Sequence, residues 1–200
     1  EGVVDMPYGI ANLSVDLHDG NPTIPIQWWR SVGHSHTAFV VESALDELAA
    51  LGGQDPLEIR RGLLAEQPRH LAVLNAVAKM AKWQSKPPAG RARGIALHAS
   101  FGSIAAQVAE VSVSDGQVRV HRVWCAIDCG FAVNPDGVVA QMESGIIYGL
   151  SAALTGEITI ESGRPIQGNF DTYPIVRINE TPTIEVQIVA SDGRMGGVGE

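Results

Sequence analysis

The chain is poor in cysteine and in positive charge, and it has no long apolar run. Its two cysteines, Cys125 and Cys129, exclude a disulfide-built scaffold, and such a pair is too small a ligand set for a zinc centre. On a strand an even separation puts both on one face, so buried thiols are expected, with a redox pair as the alternative. Lys and Arg number 14 against 22 Asp and Glu, a formal net charge of −8, which is the reverse of what a nucleic-acid binder carries. Apolar stretches are broken by Gly, Ser or charge before the ~18 residues that a membrane span needs. Fixed-period repeats and low-complexity segments are also missing. What remains is a globular composition, 45% apolar and 18% charged over 200 residues, with a high content of 22 glycines. Glu1 opens the chain without a signal-peptide pattern, and Glu200 closes it directly after a glycine-rich run, so a piece of a longer polypeptide is expected.

Residues 1–33 read as irregular or extended, punctuated by Pro7, Pro22 and Pro25. From Ala38 an apolar stripe (Phe39, Val40, Ala44, Leu45, Leu48, Leu51) predicts a helix ended by Gly52-Gly53. Asp55-Pro56 reads as N-cap and first helical position of a second helix to about Leu64, and a third covers His70 to Trp83. Residues 84–93 form a polar, proline-containing linker that divides the chain into 1–83, mainly helical, and 94–200, mainly strands. Strands are expected at Ile95–Ser100, in a hairpin turning at Ser114-Asp115-Gly116, and at Thr183–Ala190. Asn134-Pro135 opens a helix to about Leu154, and a second hairpin spans 156–169. The fold class is α+β, with mixed sheets and packed helices.

Four features carry possible chemistry. Gly193-Arg194-Met195-Gly196-Gly197-Val198-Gly199 follows a strand, and its glycines allow backbone N–H groups to approach a ligand closely. Glu200 then reads as either a general base beside that ligand or a solvated acid. His34 and His36 have no metal-ligand partner at a suitable spacing, so a structural role is expected. Arg30, between the aromatic pair Trp28-Trp29 and Gly33, is either an anion clamp or an ordinary surface arginine. Gln141 shares a helix face with Gly145 and Gly149, which suits close helix packing or an amide presented over a glycine surface.

Taken together, four segments resemble the large, molybdopterin-binding subunit of the xanthine dehydrogenase/aldehyde oxidase family, in the branch of the isoquinoline 1-oxidoreductase type. They are Trp28-Trp29-Arg30-Ser31-Val32-Gly33-His34-Ser35, Leu45-Asp46-Glu47-Leu48-Ala49, Asp128-Cys129-Gly130 through Asn134-Pro135 to Gln141-Met142-Glu143-Ser144-Gly145, and Gly196-Gly197-Val198-Gly199-Glu200. Their order and spacing span nearly the whole chain.

The resemblance implies part of the molybdenum-cofactor-binding domain of a larger bacterial protein. The cofactor would be a molybdenum–molybdopterin dinucleotide, cytosine-linked, with no protein side chain bound to the metal itself. Arg30, Ser31, Val32 and Gly33 would approach the metal centre, Gln141 would bond the cofactor, and Gly196, Gly197, Val198 and Gly199 would line the pterin. Glu200 would be the catalytic base. The implied reaction oxidises an N-heteroaromatic ring or aldehyde carbon with water as oxygen source. Electrons would pass to 2Fe–2S clusters on a partner subunit, then to a cytochrome or other acceptor. The periplasm is favoured over the cytoplasm, and the 200 residues alone are expected to be inactive. Family members that oxidise xanthine or aldehydes usually carry Phe or Tyr where this chain has Val32, so an aromatic shelf is absent there; the isoquinoline branch accommodates this. Two rival readings remain. One is a non-catalytic assembly domain with residues 37–83 as packing helices. The other is a nucleotide-binding module with the glycine loop as phosphate cradle, which needs a helix after Glu200.

Overall fold

The computed structural model describes residues 1–21, 24 and 26–199; Pro22, Pro25 and Glu200, each singled out above, lie outside the described residues. Three helices come first: α1 (His34–Leu51), α2 (Pro56–Leu63) and α3 (Pro68–Met80). Strands β1 (Ala92–Ser100), β2 (Ser103–Ser114) and β3 (Gln117–Asp128) follow, then α4 (Pro135–Leu154). A two-residue hairpin, β4 (Ile160–Glu161) with β5 (Arg164–Pro165), and β6 (Thr183–Ile188) complete the order. The main sheet runs β1-β2-β3-β6, antiparallel except for the parallel β3–β6 pair.

Local sequence explains most boundaries. Asp55 caps α2 by accepting from the N–H groups of Leu57 at 2.8 Å and Glu58 at 3.2 Å, with Pro56 at the first turn. Asn134 does the same for Gly137 at 3.3 Å, with Pro135 next. Asp115-Gly116 and Ser162-Gly163 both adopt the paired left-handed turn that a two-residue hairpin requires. The sequence places the start of α1 at Ala38, four residues late. The helix opens at His34 because the preceding turn, not a capping side chain, sets its direction. His34 and His36 therefore lie in the first turn of α1. The predicted 156–169 hairpin reduces to two paired residues per strand.

Alternation along the strands creates two apolar layers. Ile95, Leu97, Ala106, Val108, Trp124 and Ala126 face α1, α2 and α3, whose Leu45, Leu57, Val73 and Val77 close that core. Val123, Cys125 and Ile127 face α4, through Val138, Met142 and Ile146. Val120 lies on that side too, because a bulge at Glu110/Val111 leaves His121 unpaired and flips the alternation. Cys125 and Cys129 are buried free thiols on the α4 side, and burial pushes Cys125 up to about 12. Helices give way to strands between Met80 and Ala92, so Ala92 and Arg93 of the expected linker belong to β1, and the first core draws on both sides.

A buried polar cluster ties the helices to the sheet. Arg60, wholly buried, donates to Glu42 at 2.9 Å and Asp46 at 2.7 Å. Glu42 also accepts from Tyr8 at 2.6 Å and the Leu97 N–H at 2.8 Å. Both carboxylate oxygens of Glu42 are thereby engaged, the condition under which a buried charge is tolerated.

Candidate functional site

Arg30 is placed by an unusual turn. Ser31 and Val32 are both left-handed, at φ 68° and 51°, a conformation that a β-branched valine adopts only under constraint. The constraint is a set of local hydrogen bonds. Val32 N–H donates to Trp29 O at 3.0 Å, His34 N–H to Ser31 O at 3.0 Å, and the Ser35 hydroxyl to Arg30 O at 2.8 Å. Thr37 Oγ1 donates to Gly33 O at 2.9 Å. The left-handed pair reverses the chain and sends the Arg30 guanidinium toward α4.

There it meets two other segments. Arg30 Nε donates to Gly199 O at 2.7 Å, Nη2 to Gln141 Oε1 at 3.4 Å and Nη1 to Ser144 Oγ at 3.5 Å. The guanidinium also lies over the Tyr148 ring, 5.5 Å from its centroid, and Trp29 stacks on the same ring at 5.1 Å. Thus Arg30 meets Gln141 and Gly199, each more than 100 positions away along the chain, at one point. A cleft of about 590 Å³ opens beside them, lined by Trp29, Arg30, Phe39, Gly145, Tyr148 and Gly149 among others.

The glycine loop is held from below. Gly196 N–H donates to Cys129 O at 3.1 Å and Gly197 N–H to Phe101 O at 2.8 Å, while Ser103 Oγ donates to Gly197 O at 2.6 Å. A Cβ on Gly196 would lie 2.5 Å from Gly102 C and Ser103 N, so glycine is required there by the protein's own backbone. The loop's entry is fixed by Asp128, which accepts from Arg69 at 2.8 Å, Ser191 at 2.6 Å and the Gly130 N–H at 2.9 Å. Burial alone would raise the Asp128 pKa, but these bonds outweigh it and hold it at about 2.

Of the residues singled out from sequence, Arg30, Gln141 and Gly199 meet directly, and Ser31, Val32 and Gly33 form the turn that aims Arg30. Gly196 and Gly197 turn their N–H groups to protein carbonyls rather than outward. Ser144 and Tyr148, which also meet Arg30, are not among those residues, although they lie one and two helical turns from Gln141 and are readable from that spacing. Nor are Arg69 and Ser191, the partners of Asp128, for which no local signal exists. Among the described residues no three His, Cys, Asp or Glu side chains gather as a metal site.

The donor set can be tested against an anionic, acceptor-rich organic group. Arg30 is cationic, and Gln141, with its Oε1 engaged by Arg30, keeps its amide N–H2 for donation. Room is available as well, since a Cβ on Gly145 or Gly149 would meet nothing within 4 Å. The residues fit a group of that kind.

Fold and site together define an α+β domain in which a cationic and amide donor pair sits beside a glycine loop. Residues 42–182 match the molybdopterin cofactor-binding domain family, and the chain belongs to that family. It is 34% identical over 198 residues to the beta chain of isoquinoline 1-oxidoreductase from Brevundimonas diminuta, covering 96% of this chain and 25% of that protein. It is 32% identical to a nicotinate dehydrogenase subunit of Pseudomonas putida, covering 92% of this chain and 17% of that one. The chain thus spans a quarter or less of the length of these relatives. The aldehyde oxidoreductase from Desulfovibrio desulfuricans shares the fold, with TM-score 0.65, 14% identity, and coverage of 86% of this chain and 37% of that one. Among the described residues no helix is long and apolar enough to cross a membrane.

Proposed function

We propose that this chain supplies part of the active-site wall of a molybdenum hydroxylase. The reaction is oxidation of an N-heteroaromatic ring or aldehyde carbon with water as oxygen source, and the electrons leave through 2Fe–2S clusters on a partner subunit. The single observation that carries this reading is the convergence of Arg30, Gln141 and Gly199 at one cleft edge. The dinucleotide form with cytosine, and an acceptor beyond the iron–sulfur partner, belong to the same proposal. So does the division of the chain at residues 84–93.

When bound, the cofactor supplies the two-electron redox centre. The chain's own residues bind and orient. Arg30 and Gln141 donate to acceptor atoms of the pterin. The Ser31-Val32-Gly33 turn presents main chain toward the reacting centre, and Val32, 39% exposed, leaves the adjoining space wider than an aromatic side chain would. Glu200, as general base, takes the proton from the water-derived oxygen nucleophile, a role for which a positioned carboxylate contributes typically about 10²- to 10⁴-fold. A phosphate-cradle reading of the loop is disfavoured, because the Gly196 and Gly197 N–H groups are engaged by Cys129 O and Phe101 O.

The test is Glu200→Gln in the full-length enzyme. Turnover falls at least about a hundredfold while molybdenum is retained. Normal turnover with bound cofactor rejects Glu200 as the base.

A further inference from the structure

His34 and His98 lie 64 residues apart, and nothing in the site above uses their side chains. Their rings meet edge on. His34 Nδ1 lies 2.8 Å from His98 Nε2, with centroids 5.0 Å apart at 68°. At that distance one ring nitrogen donates its proton and the other accepts, so at least one ring is neutral. Burial, and then the neighbouring His34, pushes His98 down to about 4, which keeps it neutral near pH 7. The Phe101 ring completes the group, 5.5 Å from His34. Behind the pair the backbone closes in at Gly2, where a Cβ would lie 3.1 Å from His34 Nδ1 and 3.2 Å from His98 Cε1.

Each member of this group is attached to one half of the site. His34 opens α1 directly after the left-handed turn and donates its N–H to Ser31 O. Phe101 offers its carbonyl to Gly197 N–H in the glycine loop. His98 lines a cavity of about 150 Å³ together with Ser103, Met142, Gly145, Gly197 and Val198. Arg30 and Gly199 otherwise belong to segments tied to different elements, and their 2.7 Å contact needs both segments held in one register.

We propose that the His34–His98 pair is a positioning element that locks the Arg30–Gly33 turn to the Phe101–Gly197 contact, and so fixes where Arg30 and Gly199 meet. It rests on the functional reading above for what the two loops hold, and on geometry alone for the coupling between them. Neither histidine is a catalytic residue or a metal ligand.

The experiment uses the full-length protein and compares His98→Phe, which keeps ring volume but loses the nitrogen, with His98→Gln, whose amide restores a polar atom near Nε2. Two readouts are taken: amide hydrogen exchange by mass spectrometry, and kcat and KM of the cofactor-loaded enzyme. In His98→Phe, residues 29–36 and 193–199 exchange at least about tenfold faster, the scale of one net hydrogen bond, while 56–80 are unchanged. His98→Gln restores both segments. In turnover, His98→Phe lowers kcat about tenfold with KM within about twofold, and His98→Gln recovers it. Unchanged exchange in either segment, equal loss in both variants, or equal loosening of 56–80 overturns the proposal. If His98→Phe yields no soluble protein, His34→Leu against His34→Asn decides by the same criteria. A protein without molybdenum sinks the functional reading, and the exchange result still judges the coupling.

Discussion

Replacing Gly196 by alanine tests whether the glycine loop is shaped by its own support. The added Cβ would sit 2.5 Å from Gly102 C and Ser103 N, well inside the ~3.5 Å of an ordinary contact. Both are backbone atoms at a strand junction and cannot rotate away, so the loop must retreat by about 1 Å. That retreat stretches three bonds, at 3.1 Å to Cys129 O, 2.8 Å to Phe101 O and 2.6 Å from Ser103 Oγ, to or beyond the limit of hydrogen bonding. Each is worth about 1 kcal/mol net, and water replaces part of the loss, so the local cost is about 1–3 kcal/mol. Hydrogen exchange reads this directly, as a fall of about one to two orders of magnitude in protection at Gly196 and Gly197. Gly145→Ala is the control. Its Cβ meets nothing within 4 Å and it sits mid-helix in α4, so the fold gains about 0.5–1 kcal/mol. Wild-type protection at Gly196 and Gly197 in Gly196→Ala would refute the reasoning.

Arg60→Met leaves Glu42 buried without its cation and destabilises the protein by about 3–5 kcal/mol in urea denaturation. Acid unfolding has two windows. His98, depressed from 6.5 to about 4, binds its proton more readily when unfolded, so stability falls as pH drops from 6.5 toward 4, by at most about 3 kcal/mol. Asp128, depressed from 3.8 to about 2, contributes stability that is complete above 3.8 and lost as pH falls through 2. Denaturation midpoints across pH separate the two, and His98→Gln flattens the first only. Arg30→Lys keeps the charge but loses the fork that reaches Gly199, Gln141 and Ser144 together; cofactor retention on dialysis falls while thermal stability changes by less than about 1 kcal/mol.

Much of the secondary structure was readable because it is written locally. Asp55-Pro56 and Asn134-Pro135 are capping pairs, and Asp115-Gly116 is a hairpin turn, each decided within four residues. The start of α1 was not, because it depends on Ser31 and Val32 taking a left-handed form for which neither has an intrinsic preference. The site divides the same way. Arg30, Gln141 and the glycine run could be picked out as residue types with chemistry, but their meeting depends on how α4 docks on the sheet and on β6 pairing with β3 at its edge. Glycine at 196 shows the limit most clearly. Its presence suggested approach by a ligand, whereas the immediate reason for it is the backbone of Gly102 and Ser103. The His34–His98 bond spans 64 positions between a helix and a strand, and neither residue's neighbours announce it.

That Arg30 and Gln141 hold a molybdopterin cofactor is tested most directly by the molybdenum and pterin content of the purified full-length protein, alone and as the Arg30→Ala/Gln141→Ala double variant. Stoichiometric molybdenum in the wild type and its loss from a folded double variant are predicted. A wild-type protein without molybdenum, or a double variant that retains it fully, would contradict the account.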